Sequence, residues 1–155
     1  MTEQRHFGRS FGSLQGIFAF SSDFLERHGL DRELLPTIDF AVEELFTNMV
    51  KYSPSGSDTV CVTMTPCDGG VEVTLTDYAV DRFDVTLAPD ADTGLPIEER
   101  KPGGLGLHLI RRLVDTLQYQ YSDENRESRI TFRKTTAGRG NGDTVVHTGR
   151  RDARD

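Results

Sequence analysis

Cysteine is nearly absent from this chain: Cys61 and Cys67 are the only two in 155 residues, and neither belongs to a CxxC or His-rich pattern. That spacing excludes the usual cysteine metal sites. Both lie in or beside a strand-like stretch, where reduced, buried thiols are the expected state. Long apolar runs are missing too, and nothing approaches the ~20 residues that a membrane-spanning helix requires. The opening "MTEQRHFGRS" has no signal-peptide pattern. Positive charge is in deficit, with 18 Lys and Arg against 25 Asp and Glu and a net charge of −7. Non-specific nucleic-acid binding needs a basic surface, so that class is not expected. A soluble, cytoplasmic protein with neither a membrane nor a direct nucleic-acid partner is expected.

Apolar residues reach only 35%, low for a packed domain. The closing stretch "TTAGRGNGDTVVHTGRRDARD" accounts for part of this, being crowded with Gly, Arg and Asp. It reads as a disordered or loosely held tail over residues 136–155. The folded part is then one domain over residues 5–135, long enough to bury a core. There are no internal repeats.

Along that domain, residues 5–11 read as a short edge strand. Ser13 is placed to cap a helix carrying Leu14, Ile17, Phe18, Phe24 and Leu25, with Gly29 at its end. Asp31 opens a second helix, in which Pro36 is tolerated near the start or splits off a first turn. "DTVCVTMTP" and "VEVTLTD" read as strands around a "CDGG" turn, the second placing Val71, Val73 and Leu75 on one face. Residues 78–102 have no periodicity, and a loop this long in a small domain reads as a lid or binding loop. "GGLGLHLIRRLVDTLQY" starts a helix on glycines, with Leu105, Leu109, Leu113 and Leu117 at four-residue spacing. Strands at 118–121 and in "RITFRK" follow. This order suggests an α+β, two-layer sandwich: a mixed, mostly antiparallel sheet with helices on one face.

Three clusters carry chemistry. In "IDFAVEELFTNMVKYS", at about 100° per residue, Ile38, Val42, Leu45 and Met49 form a narrow apolar stripe. Glu44, Asn48 and Lys51 lie within about 60° of one another on a different face. A carboxylate there can position or deprotonate a hydroxyl, and an amide oxygen suits Mg²⁺. On this helix alone, a solvated polar face is the commoner reading. "KPGGLGL" lets backbone amides approach an anion at a helix N-terminus, though taken alone a plain turn is the commoner reading. Asp77, at a strand end facing the long loop, can accept a hydrogen bond from an exocyclic amine or simply cap a turn.

Taken in order, "EELFTNMVKYS", "DYAVDRFD" and "GGLGLHLI" resemble the N-box and the two glycine boxes of the GHKL-type ATP-binding fold. Within it the chain is similar to the small anti-sigma factor serine kinases, over residues 5–134. The resemblance implies that Glu44 is the base for phosphoryl transfer and Asn48 the Mg²⁺ ligand. It implies that Asp77 bonds the adenine amine, supported by Thr131, and that a lid spans about residues 85–102. Gly103, Leu105 and their neighbours Gly104 and Gly106 would line the phosphates, with Lys51, Arg100 and Lys101 as candidate nucleotide contacts. Cofactors would be ATP or ADP with Mg²⁺. Partners would be a STAS-type anti-sigma antagonist, a sigma factor and a second copy of the chain. The family pattern has glycine where this chain has Ala79, and Phe83 sits one residue late. That departure leaves an alternative open: a binding module of weak nucleotide affinity that sequesters a partner stoichiometrically. Within these 155 residues no H-box dimerisation helix precedes the domain and there is too little length for the extra domains of a gyrase, chaperone or mismatch-repair ATPase, so neither a stand-alone histidine kinase nor one of those ATPases is expected.

Overall fold

The computed structural model describes residues 1–52, 56–80 and 104–136, with only the backbone of Tyr52, Gly104 and Leu105. The expected lid, Arg100, Lys101, Gly103, Phe83 and the tail from residue 137 onward lie outside these residues.

The chain begins with β1 (Glu3–Gly8), an edge strand as expected but set earlier than residues 5–11. After a 3-10 turn comes α1 (Leu14–Arg27), which buries Ile17, Phe20, Ser21, Phe24 and Leu25 at helical spacing. Ser13 does stand at the N-cap of α1, but its hydroxyl makes no capping bond and donates instead to the Gly8 carbonyl at 2.7 Å, fastening the turn between β1 and α1. The helix ends as its glycine predicts. Gly29 takes φ +64, and the Leu30 amide reaches back to the Leu25 carbonyl at 2.9 Å.

Asp31 does cap, its carboxylate accepting from the Glu33 amide at 2.9 Å. A separate 3-10 turn over Arg32–Leu34 precedes α2 (Leu35–Tyr52), so Pro36 falls in the first turn of the helix, where its missing N–H costs nothing. The predicted stripe of Ile38, Val42, Leu45 and Met49 is buried, joined by Ala41 and Phe46.

Next come β2 (Thr59–Cys67) and β3 (Gly70–Tyr78), a hairpin whose two-residue turn places Gly69 at φ +82. Then α3 (Gly104–Leu113) leads to a second hairpin, β4 (Thr116–Ser122) and β5 (Glu127–Thr135). The sheet runs β1-β2-β3-β5-β4, and every pairing among the described residues is antiparallel rather than mixed.

Side chains alternate across this sheet. Val60, Val62, Met64, Val71, Val73, Leu75, Ile130 and Phe132 point to one face and are buried. There they meet the helices in one core. The opposite face is polar and holds a shallow concavity of about 430 Å³, lined by Thr63, Thr74, Gln118, Arg129 and Thr131 among others.

The leucine ladder of α3 is corrected. Leu107, Ile110 and Val114 enter the core, whereas Leu109 and Leu113 stay 40% and 41% exposed and Leu117 belongs to β4. Four-residue steps drift about 40° each around a helix, so the ladder leaves the core face. Steps of three and four, as in 107, 110 and 114, remain on it.

Candidate functional site

The second face of α2 exists as the sequence predicts. Asn48 is 5% exposed although it is an amide, and its Nδ2 donates to Glu44 Oε2 at 3.4 Å. Burial pushes the Glu44 carboxyl above its ordinary value of 4.5, with a further push from Glu43. The Asn48 hydrogen bond and the positive charge of Lys51 pull the other way. Lys51 itself is exposed, one turn further along.

What completes this face comes from α3. A Cβ built on Gly106 would overlap the Glu44 carboxylate, Cδ and both oxygens. The glycine therefore lets the first turn of α3 close directly on Glu44. The N-box helix and the second glycine box, about sixty residues apart, meet at that point. Gly104 and Leu105 open α3 beside it.

Asp77 ends β3 on the helix side of the sheet, in step with Val73 and Leu75, and is almost wholly buried. Its Oδ1 accepts the Tyr78 amide at 3.0 Å and an ion pair from Arg9 Nη2. Burial raises this carboxyl; the charge and hydrogen bond of Arg9 and the Tyr78 amide oppose the rise. Just past it, Ala79 adopts φ +56, the left-handed shape that glycine takes freely, despite carrying a Cβ. Val80 is then anchored, its amide donating to the Arg126 carbonyl at 3.0 Å and its carbonyl accepting the Tyr121 hydroxyl at 2.7 Å.

Thr131 is not brought to Asp77. It lies on the helix-free face, hydrogen-bonded to Thr74 at 2.9 Å, because its neighbours Ile130 and Phe132 take the core face and a strand alternates. The residue opposite Asp77 in the β3–β5 register is Ser128, buried and on the helix side. Counting back by two from Phe132 finds Ser128 in the sequence. The pattern was there to be read.

Arg9 is the residue that sequence reasoning missed. It follows β1 in an unremarkable "GRS" turn, and nothing in its local pattern marks it. Its Nε donates to the Ser57 carbonyl at 2.7 Å and its Nη1 to the Met49 carbonyl at 3.1 Å, while Nη2 pairs with Asp77. The guanidinium thus ties the end of α2, the turn before β2 and the end of β3 to one another.

Among the described residues, an antiparallel sheet with three helices on one face, and a half-buried carboxylate beside a buried amide met by a glycine-led helix, have the layout of a GHKL-type ATPase fold. Residues 11–134 match the histidine kinase-like ATPase domain family, and the chain belongs to it. ATP binding is what that family implies. Among individual relatives, the serine-protein kinase RsbW of Halalkalibacterium halodurans is 31% identical over 101 residues, which are 63% of this chain. The match spans 62% of that relative's length, under two thirds. The histidine kinase AdeS of Acinetobacter baumannii shares 16% identity at a TM-score of 0.44, over 86% of this chain and 67% of that one. So slight a structural likeness carries no argument. Among the described residues, no helix is long and apolar enough to cross a membrane.

Proposed function

We propose that the protein is an ATP-dependent serine/threonine protein kinase and anti-sigma factor of a partner-switching system. In this reading it phosphorylates a Ser on a small STAS-type antagonist, sequesters a sigma factor and works as a cytoplasmic homodimer. The observation that carries it is the hydrogen-bonded pair of half-buried Glu44 and buried Asn48, with Gly106 closed on the carboxylate. A helix face that only met solvent would not bury an amide or clear a Cβ from a carboxylate.

Each residue then has work to do. Glu44 takes the proton of the attacking serine hydroxyl, and its burial-raised pKa makes it a stronger base than an ordinary glutamate. Asn48 spends Nδ2 on Glu44, which leaves its hard Oδ1 for a cation. Among the described residues no cluster of three His, Cys, Asp or Glu could cage a metal. Mg²⁺ is commonly held by one or two protein oxygens with phosphates and waters, and the Asn48 oxygen would be one of these. When bound, Mg²⁺ supplies neutralisation of charge on the triphosphate. Asp77 accepts the adenine amine, and Ser128 rather than Thr131 supplies the neighbouring hydroxyl. Backbone amides at Gly103, Gly104, Leu105 and Gly106 meet the phosphates at the start of α3, where the helix dipole favours anions. Lys51, Arg100 and Lys101 are the cations assigned to that end of the site.

The competing reading is a stoichiometric binding module of weak nucleotide affinity. The positive φ of Ala79 supports the kinase instead, because the backbone keeps the shape that glycine would give it. Transfer of labelled phosphate from Mg-ATP to an antagonist encoded nearby tests the matter, with Glu44→Ala and Asn48→Ala as controls. Transfer by the unaltered chain and loss in both variants is expected. No transfer together with no ADP binding by calorimetry would sink the kinase. Full transfer by Glu44→Ala would remove Glu44 from the role of base.

A further inference from the structure

Asp77 and Arg9 form the most completely buried ion pair among the described residues, their side chains 2% and 9% exposed. Burying two charges is costly unless their remaining hydrogen-bonding groups are satisfied. Arg9 meets that condition by giving Nε and Nη1 to two backbone carbonyls. The Met49 carbonyl lies in the last turn of α2, where carbonyls run short of intrahelical donors and the helix dipole favours a cation. Gly56 completes the fit: a Cβ there would overlap Arg9 Nη2.

The arrangement at Asp77 is one-sided. Both donors, Arg9 Nη2 and the Tyr78 amide, converge on Oδ1. Two donors on one oxygen hold the carboxylate and leave Oδ2 as the oxygen open to a ligand, on the strand whose register partner is Ser128. We propose that Arg9 is the positioning residue that orients Asp77 Oδ2 toward the 6-amino group of a purine and thereby sets selectivity for adenine. This deepens the kinase reading above and rests on its nucleotide site.

The chemistry of selection follows from what each form of the carboxyl can do. An ionised carboxylate only accepts hydrogen bonds, so it welcomes an amine and repels a 6-oxo group. Burial raises the Asp77 carboxyl and Arg9 opposes that rise, so losing Arg9 frees the carboxylate torsion and shifts the group toward the acid form, which both donates and accepts. Such a group no longer distinguishes the two purines. Arg9 would never touch the nucleotide; it acts through Asp77.

The test compares ADP with inosine diphosphate, by calorimetry, on the unaltered protein and on Arg9→Gln, Arg9→Lys and Gly56→Ala. The unaltered protein is expected to prefer ADP by about 100-fold, within the range that a hydrogen-bonding site can impose. Arg9→Gln should bring the two affinities within a few-fold of each other. Arg9→Lys, which keeps the charge, should restore part of the preference. Gly56→Ala displaces Nη2 without altering any charge and should also lower it. A purely structural role would weaken both ligands equally and leave the ratio intact, and that result in Gly56→Ala and either Arg9 variant overturns the proposal. Tighter ADP binding by Arg9→Gln overturns it as well, since Arg9 would then be blocking the site. Failure of the unaltered protein to bind either nucleotide overturns the nucleotide reading along with this one.

Discussion

Gly106 lies against the carboxylate of Glu44 so closely that no other residue fits at its position without moving the acid. One helix thereby sets the position of a side chain on another. Gly106→Ala should displace the carboxylate by roughly an ångström and lower phosphate transfer by about 100-fold, the usual cost of misplacing a reacting group. ADP affinity should fall much less, because the base does not hold the nucleotide. Single-turnover transfer and ADP titration on the same preparation separate the two effects.

The raised pKa of Glu44 has a sign that can be checked. Its neutral form is favoured by burial, so transfer should rise with pH along an acid limb whose midpoint lies above 4.5. Lys51 pulls that midpoint down. Lys51→Met should therefore move the limb to higher pH. An unmoved limb would mean that a different group titrates.

Ser128 and Thr131 sit on opposite faces of β5, and paired substitutions tell them apart. Ser128→Ala should weaken ADP binding by about 2- to 10-fold, the worth of one hydrogen bond. Thr131→Val should leave ADP binding unchanged and cost only its link to Thr74.

Ala79 holds φ +56 against its own Cβ. Ala79→Gly relieves that strain but loosens the unfolded chain. The net expectation is a gain of about 0.5–1 kcal/mol in urea unfolding. A loss would show that the residue's methyl packs better than its backbone suffers.

Asp39 has a buried, unpartnered Oδ1, and burial lifts its pKa from 3.8 to about 6, with Glu43 adding to the rise and Arg32 opposing it. A folded-state pKa above the unfolded one penalises the ionised form, so the cost is full above about 6 and gone below 3.8. Asp39→Asn should stabilise the protein at pH 7 by about 1 kcal/mol, a figure reduced for the water that still screens this half-exposed group. The gain should fade as pH falls through that window.

The sequence by itself determined the elements and their faces. Apolar spacing in α2, alternation in β3 and glycine at the ends of α1 and of the β2–β3 turn are local properties, set by helix and strand periods and by backbone sterics. The Glu44–Asn48 pair was legible for the same reason, since both lie on one helix. Ser128 was legible in principle, through the two-residue period of β5, but the hydroxyl at 131 was the more conspicuous one. Two relationships were decided by the tertiary structure alone. The contact of Gly106 with Glu44 depends on how α3 packs on α2, and the hold of Arg9 on Asp77 depends on bringing the end of β1 to the end of β3. Long-range proximity of that kind has no periodic signature: the packed core sets it, and no local preference encodes it.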